Sequence, residues 1–287
     1  VIEKNKNRPF FLYLSHFAPH NPLQALRDDY DHFHHIEGES SEELKVYSAM
    51  LKALDRSVGR ILDTLEKNNL TDNTLIVLTS DNGGANYIHL SDINKPYRGW
   101  KLTHFEGGLH VPFMAKWPNK IKPGIEFNAP IHANDILPTF AAAAGAELPD
   151  DRIIDGVNLL PFLQNHNSDM PHETLYWLQG RLQTVLHENW KLITDHRTGK
   201  DWLFNVESDP YERINLASEM TLKVEELKRL LNDHRKVQPP PLYDNTMSVP
   251  ILIDKHNGYA FQDGDEFTYW DNYCLLYTSD AADEAKC

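Results

Sequence analysis

The sequence has very little cysteine. Both of its cysteines, Cys274 and Cys287, lie at the end of the chain, so residues 1–273 contain none. That stretch therefore has no disulfide, no cysteine metal ligand and no cysteine nucleophile of its own. Because the cysteine content is so low, the sequence does not indicate a redox compartment.

The sequence also lacks a long apolar run and an excess of basic residues. No run approaches the ~20 apolar residues that a transmembrane helix requires, so we expect no membrane segment. The chain has 28 Lys and Arg against 42 Asp and Glu, a net charge of −14. This balance argues against nucleic acid as the main partner, because phosphate binding requires clustered basic side chains. The 41% of hydrophobic residues excludes an intrinsically disordered chain.

Neither end of the sequence is typical of a complete natural domain. The chain begins at Val1 without Met or an apolar signal stretch, and it runs directly into an apolar segment. We therefore expect Val1 to be a break inside a longer protein. Residues 274–287 back-translate to DNA that resembles a transposon adapter used in sequencing libraries, so we interpret them as a read-through tail. The alternative for this tail is an ordinary acidic C terminus.

The first part of the sequence alternates between strand and helix patterns. The apolar run Arg8–Ser15 predicts a covered parallel strand. Ser40 and Ser41 begin an amphipathic helix that ends near Lys67, and Thr74–Thr79 predicts a second covered strand. This order predicts a right-handed crossover unit. A further strand and a helix follow, at Val111–Trp117 and Asn134–Gly145.

The pattern changes to short antiparallel strands beyond residue 168. The predicted strands are Leu175–Trp177, Leu182–His187, Trp190–Thr194 and Trp202–Asn205, followed by an amphipathic helix at Thr221–Arg235. We therefore predict a catalytic α/β domain at 1–167, a small α+β subdomain at 168–240 and an extended segment at 241–273.

Polar residues at the carboxyl end of the second strand point to a hard cation. Asp81 and Asn82 are adjacent oxygen donors, and Gly83-Gly84 permits a sharp turn after them. An all-oxygen pair suits Ca²⁺, or alternatively Mg²⁺, and disfavours Zn²⁺. The same residues are also common in plain turns and helix caps, which is the alternative interpretation.

Two further loops contain candidates for anion binding and proton transfer. His20 lies between Pro19 and Pro22, where it could donate a proton to a leaving oxygen. Lys101 lies in a glycine-rich loop, where its charge could neutralise an oxyanion. Taken alone, each is more simply a packing or surface residue. Together with Asp81 and Asn82 they favour hydrolysis of a phosphate or sulfate ester.

The order of four segments resembles the type I, formylglycine-dependent sulfatases of the alkaline phosphatase superfamily. The segments are PFFLYLSHFAPHNPLQ, ALDRSVGRILDTLEKNNLTDNTLIVLTSDNGG, YRGWKLTHFEGGLHVPFMAKWP and DILPTFAAAAG. The resemblance implies an alkaline-phosphatase-like α/β fold with a mixed, mostly parallel sheet flanked by helices, plus a small C-terminal antiparallel sheet with a helix. It implies that Asp81 and Asn82 ligate Ca²⁺, that Lys101 binds the sulfate and that His20 contacts the sulfate or the leaving oxygen.

The sequence departs from the sulfatase pattern in two respects. The formylglycine precursor, a Cys or Ser in a Cys/Ser-x-Pro/Ala-x-Arg motif, is absent, so no nucleophile is assigned in this chain. We expect it upstream of Val1 and predict that the chain alone is inactive. The family usually has Arg at the position of His110, which puts one local contact in doubt. Arg98 and His104 lie near Lys101 and are weaker candidates for contacting substrate.

Three functions remain open at this stage. The favoured one is a sulfuric ester hydrolase, with a sulfated carbohydrate or small molecule as substrate. The alternatives are a phosphonate or phosphodiester hydrolase of the same superfamily and a noncatalytic relative that binds a glycan or an anion. The sulfatase resemblance implies a periplasmic or secreted protein.

Overall fold

The structure is a computed structural model that describes residues 1–165, 169–240, 245 and 247–272. The α-helices in these ranges are α1 (Ile2–Asn5), α2 (Arg27–Tyr30), α3 (Ser41–Lys67), α4 (Glu106–Leu109), α5 (Ile136–Ala144), α6 (Leu160–Leu163) and α7 (Thr221–Val237). The strands are β1 (Ile76–Thr79), β2 (Phe113–Lys116), β3 (Thr174–Gln179), β4 (Leu182–His187), β5 (Trp190–Asp195), β6 (Lys200–Asn205), β7 (Met247–Leu252) and β8 (Phe267–Asn272). Within the described ranges, no helix is long and apolar enough to cross a membrane.

The chain forms two compact units. Unit 1 contains Val1–Asp81 and Pro112–Glu173. Unit 2 contains Asn82–Val111 and the described residues from Thr174 onward. The loop Asn82–Val111 therefore groups with the C-terminal sheet, whereas the sequence predicts it within the catalytic domain at 1–167. The predicted tail, 274–287, lies outside the described residues.

Helix α3 is the main helix of unit 1 and confirms the predicted amphipathic helix. Two acidic residues occupy its first turn, where they favour the helix dipole, and its apolar stripe buries Ala49, Met50 and Leu65. The short helix α2 is tied to it by a bidentate ion pair, in which Arg56 donates to the two carboxylate oxygens of Asp29 over 2.6 and 2.8 Å.

The predicted strand at Arg8–Ser15 is wrong. The segment is not assigned to a strand, and the side chains of Phe11 and Tyr13 are 71% and 78% exposed. An apolar run forms a covered strand only where neighbouring strands bond to both of its edges, and none of the described residues does so. The crossover unit is therefore absent, and β1 instead pairs antiparallel with β2, with Ile76 opposite Lys116.

The core of unit 1 lies around β2 and α6. Trp117 packs with buried residues from the following turn and from α6, namely Ile121, Leu159, Leu160 and Leu163. The predicted helix at 134–145 is confirmed: α5 is preceded by a 3₁₀ turn at Ala133–Asp135 and ends at Gly145, whose φ of 66° suits a glycine cap.

Unit 2 contains a four-stranded antiparallel meander in the order β3-β4-β5-β6. The four predicted strands are confirmed, and the bend between β4 and β5 lies at Glu188, as the sequence indicated. Alternating residues of each strand lie on opposite faces of the sheet. One face packs on α7 through Val185, Leu192, Leu203, Val224, Leu227 and Leu231. This contact also confirms the predicted amphipathic helix.

The other face of this sheet supports the loop that carries Lys101. Phe105 is fully buried in a cluster with Leu182, Ile193, Trp202, Phe204 and Ile253. Ile253 follows β7, which pairs antiparallel with β8. Where it is described, the predicted extended segment at 241–273 forms this pair of antiparallel strands.

Candidate active site

The structure divides the predicted site residues between the two units. His20 and Asp81 lie in unit 1, whereas Asn82, Arg98, Lys101 and His104 lie in unit 2. His20 lies in a partly buried turn, in which its amide donates to Phe17 O over 2.9 Å. The Nδ1 atom of His20 is 2.6 Å from Asn21 O, and this contact fixes the imidazole against the backbone. The proton-donor role of His20 stays a prediction.

The turn after Asn82 and the loop that carries Lys101 are joined by backbone hydrogen bonds within unit 2. Gly83 N donates to Gly108 O over 3.0 Å, and Lys101 N donates to Gly84 O over 2.9 Å. The structure therefore brings together the backbone of one candidate metal ligand, Asn82, and that of the candidate sulfate ligand, Lys101.

Asn94 strengthens this junction. Its Oδ1 accepts from Gly84 N over 2.7 Å, and its Nδ2 donates to Gly84 O and Gly99 O over 2.9 and 3.0 Å. The carboxamide of Asn94 therefore bonds to the backbone of the turn after Asn82 and to that of the Lys101 loop, much as a neighbouring strand would. Sequence reasoning missed this residue, because a lone Asn ten positions after a glycine turn is typical of any polar loop.

The glycines of both loops are required for close approach. A Cβ on Gly83 would lie 1.8 Å from Gly107 O, and one on Gly107 would lie 2.3 Å from Gly99 O. Neither Gly83 nor Gly107 has a positive φ. We expected Gly83 to permit a sharp turn, but its function is to let two backbones touch.

Lys101 and Asn82 are held differently from ordinary loop residues. Lys101 is only 7% exposed, which disfavours the simple surface interpretation.

The Nδ2 atom of Asn82 donates to Gly83 O over 2.9 Å, so Oδ1 is the atom of this amide that could ligate a cation. Asp81 and Asn82 thus fit a hard cation chemically. Ca²⁺ takes about 6–8 oxygens, and the described residues contain no group of three acidic, His or Cys side chains that could hold a metal.

Arg98 is engaged by protein acceptors rather than exposed to the loop surface. It donates to both oxygens of Asp254, each over 2.7 Å, to Glu266 over 2.7 Å and to Glu212 O over 3.0 Å. Burial acts to lower the pKa of Arg98, but the bonds to Asp254 and Glu266 raise it above its ordinary value. This geometry favours a structural function, and substrate contact by Arg98 stays a prediction.

His104 is buried against the meander. Its Nδ1 lies 2.9 Å from the hydroxyl of Thr184 on β4. Burial, together with the nearby charge of Lys191, lowers the pKa of His104 to about 3. The imidazole is therefore neutral at physiological pH and favours a packing function, while substrate contact by His104 stays a prediction.

A buried ion cluster anchors the glycine-rich loop to β5. Lys191 donates to Glu106 Oε1 over 2.6 Å and lies 2.8 Å from Glu212 Oε1, while Glu106 N donates to Glu212 Oε2 over 2.7 Å. His110 Nδ1 is 2.8 Å from the second Glu106 oxygen. The sulfatases usually have Arg at the position of His110, which puts a local contact in doubt. In this structure His110 makes a local pairing of that kind, with Glu106.

The pKa values of the two carboxyl groups in this cluster are shifted in opposite directions. Burial acts to raise the pKa of Glu106, but the charge of Lys191 and the bond to His110 hold it at about 2. Burial raises the pKa of Glu212 despite the attraction of Lys191. Sequence reasoning missed Lys191 and Glu212. The available signal was a lysine inside the apolar strand Trp190–Asp195, since a buried lysine requires a buried acidic partner.

Comparison with known proteins identifies the family. Residues 1–146 match the family model described as Sulfatase, and residues 99–237 match one described as N-sulphoglucosamine sulphohydrolase, C-terminal. The chain belongs to the sulfatase family. This sulfatase-family chain is 35% identical to rat steryl-sulfatase over 216 residues, which cover 73% of the chain and 35% of that relative. It is 36% identical to the uncharacterized sulfatase YdeN of Escherichia coli over 192 residues, which cover 66% of the chain and 33% of that relative.

Solved structures confirm the predicted α/β fold class. The sulfatase-family chain matches Ps i-CgsB with a TM-score of 0.72 and 34% identity, covering 81% of this chain and 52% of that one. The phosphonate monoester hydrolase of Agrobacterium radiobacter shares the fold, with a TM-score of 0.53 and 23% identity over 69% of this chain and 42% of that one. The chain thus spans about a third of the curated relatives and about half of these structures.

Proposed function

We propose that this chain carries part of the active site of a sulfatase that hydrolyses sulfate esters of carbohydrates. The observation that supports this best is the junction in unit 2, where Asn94 and Gly84 hold the Asn82 turn against the Lys101 loop. A metal ligand and an anion-binding cation must be kept at a fixed distance to act on one sulfate group, because electrostatic catalysis depends on preorganised charges.

Each site residue has a defined function in this proposal. Asp81 and Asn82 would hold Ca²⁺, or alternatively Mg²⁺, which would supply positive charge to stabilise the sulfate group. Lys101 neutralises charge on the same oxygens as a point cation, and the low exposure of Lys101 strengthens that interaction. His20 donates a proton to the leaving oxygen. A formylglycine, which this chain does not contain, supplies the nucleophile.

The carbohydrate substrate class is supported by two solved relatives. One structure is that of Ps i-CgsB in complex with k-i-k-neocarrahexaose, at 34% identity. Another is that of BT4656 in complex with D-glucosamine-2-N,6-O-disulfate, at 27% identity and a TM-score of 0.55. The curated relatives include a steryl-sulfatase, so the proposal of a sugar rests on the solved structures. We also propose export to the periplasm or the exterior, as the family resemblance implies.

The test is turnover by a fusion in which the N-terminal part of Ps i-CgsB precedes this chain, produced together with a formylglycine-generating enzyme. We expect sulfate release from k-i-k-neocarrahexaose. The variants Asp81→Ala and Lys101→Ala should each lower kcat/KM about 10²–10³-fold. Lys116→Ala, which removes a lysine from β2 of unit 1, is the control and should leave turnover unchanged.

Two results would contradict the proposal. One is faster cleavage of a phosphonate monoester than of the sulfate ester, which would favour the phosphonate hydrolase alternative. The other is full turnover in the Lys101→Ala variant, which would remove Lys101 from the site. The metal site is tested by a separate measurement. Calorimetric titration of the protein with Ca²⁺ should detect binding, and the Asp81→Asn variant should bind Ca²⁺ more weakly.

A further inference from the structure

Unit 2 contains a polar cleft that the proposed reaction does not use. Its volume is about 360 Å³, which lies within the range of small-molecule sites. The cleft is lined by the segment that leads directly into Lys101, by residues near β7 and β8, and by Arg213 between β6 and α7. The lining includes Asn94, Tyr97, Arg98, Arg213, Asp254 and Glu266. The cleft and Lys101 therefore share one loop.

Arg98, Asp254 and Glu266, which line the cleft, belong to a charge-balanced cluster with Lys200. Arg98 bridges Asp254 and Glu266 through bonds of 2.7 Å, and Lys200 donates to the other oxygen of Glu266 over 2.5 Å. Burial acts to raise the pKa of Glu266, but its bonds from Lys200 and Arg98 hold it at about 2. Glu266 is therefore an ionised acceptor, and the Asp254 carboxylate, which accepts from Arg98, remains half exposed to solvent. Such a carboxylate can accept hydrogen bonds from the hydroxyl groups of a ligand.

The rim of the cleft is cationic. Arg213 is exposed, and its Nη2 donates to the backbone oxygen of Pro96 over 2.8 Å rather than to a carboxylate. Lys95 is exposed as well and pairs with Asp92 at the surface. Exposed ion pairs are weak, so this lysine can change partner at little cost. Arg213 and Lys95 therefore place positive charge at the mouth of this cleft, in a chain whose net charge is −14.

We infer that this cleft, whose lining runs along the chain up to Trp100, is a subsite for a second, sulfated sugar residue of the substrate whose ester Lys101 binds. This inference rests on the proposed function and adds the requirement for an oligosaccharide. Arg213 and Lys95 bind the sulfate of the second residue, Asp254 accepts from its hydroxyls, and Tyr97 covers one side of the ring. The stack of Tyr97 on His110, with ring centroids 4.5 Å apart, keeps that tyrosine in place.

Amide NMR of the whole 287-residue chain tests the subsite directly, with D-glucosamine-2-N,6-O-disulfate as the probe and N-acetylglucosamine as its neutral counterpart. We expect saturable shifts at residues 91–100 and at Arg213 with the disulfate, and at least tenfold weaker binding of N-acetylglucosamine. Arg213→Ala should weaken the binding read from these shifts about fivefold, because an ion pair at an exposed arginine contributes up to ~1 kcal/mol. Arg229→Ala removes an exposed arginine of α7 and should change nothing.

The same spectra separate this inference from the proposed function. Lys101→Ala should weaken the shifts around Asn82 and Lys101 while leaving those of the cleft in place. Shifts confined to Asn82 and Lys101, or cleft binding equal in Arg213→Ala and the unchanged chain, would overturn the subsite and leave the proposed function standing. Cleft shifts that Arg213→Ala weakens, without any response at Asn82 and Lys101, would support the subsite and contradict the assigned sulfate site.

Discussion

Asn94 pairs with both backbone polar groups of Gly84, accepting from the amide over 2.7 Å and donating to the carbonyl over 2.9 Å. The same carbonyl also accepts from Lys101 N. The position of the candidate sulfate ligand thus depends on a side chain that has no charge and no assigned contact with the sulfate group. This arrangement makes Asn94 a positioning residue for Lys101 and for the turn that follows Asn82.

Replacing Asn94 with Asp should destabilise unit 2. The substitution turns the two donors of Nδ2 into an oxygen that faces the carbonyls of Gly84 and Gly99, so two hydrogen bonds are lost and replaced by repulsion. We expect a decrease of about 1–3 kcal/mol in the free energy of unfolding, measured with urea. Asn257→Asp, at an exposed asparagine of the same unit, is the control and should cost less than about 0.5 kcal/mol. Equal costs for both variants would contradict the positioning function.

A methyl group at Gly83 should be poorly tolerated. Its Cβ would lie 1.8 Å from the carbonyl oxygen of Gly107, so one of the two backbones must move. We expect Gly83→Ala to lower the free energy of unfolding by about 1–3 kcal/mol. Gly59→Ala in α3, where a Cβ meets nothing within 4 Å, should instead raise it by roughly 0.5–1 kcal/mol. Thermal unfolding followed by circular dichroism compares both variants, and a neutral Gly83→Ala would show that the loops are not in contact.

Local sequence patterns predicted most of unit 2 because its strands are neighbours along the chain. Tight turns join β3 to β4, β4 to β5 and β5 to β6, so alternation and turn residues suffice to define the meander. The same reasoning failed at Arg8–Ser15. An apolar run is compatible with a strand, but it does not specify the partner that would cover it, and that partner is not among the described residues.

The candidate site likewise contains residues that the sequence predicts and residues that it does not. Asp81, Asn82 and Lys101 stand out in the sequence because their residue types suit one chemistry. The cluster of Glu106, Lys191 and Glu212 does not, because Glu106 lies 85 positions before Lys191 and 106 before Glu212, and each is an ordinary charged residue when considered alone. Only the fold of the sheet brings them together, so a single sequence cannot predict which charges form the pair.

Glu106→Gln should show a cost in stability that depends on pH. The folded pKa of Glu106 is about 2, below the value near 4.3 in an unfolded chain. The ionised form therefore stabilises the fold fully above about pH 4.3, and that contribution is lost as the pH falls toward 2. We expect Glu106→Gln to be clearly less stable than the unchanged chain at pH 7, with the difference shrinking between pH 5 and pH 3. Urea unfolding at each pH measures it.

Glu212→Gln is the matched control for Glu106→Gln. Burial raises the pKa of Glu212, so its contribution is fully present below the unfolded pKa and is lost as the pH rises through the folded one. Removal of its charge should therefore cost less at pH 7 than removal of the charge of Glu106. A larger cost for Glu212→Gln at pH 7 would mean that Lys191 pairs mainly with Glu212, which would reverse our assignment of the two carboxyl groups.

Arg98→Lys distinguishes a structural arginine from one that contacts substrate. A lysine cannot reproduce the planar fork that binds both oxygens of Asp254 while also bonding to Glu266 and Glu212 O. We expect the free energy of unfolding to fall by about 1–3 kcal/mol without any sulfate or sugar present. Tryptophan fluorescence in urea reports this change, because Trp100 and Trp202 lie in the same unit. Arg229→Lys on α7 should have no such effect. If Arg98→Lys kept full stability and lost only affinity for sulfated sugar, Arg98 would belong to the binding site after all.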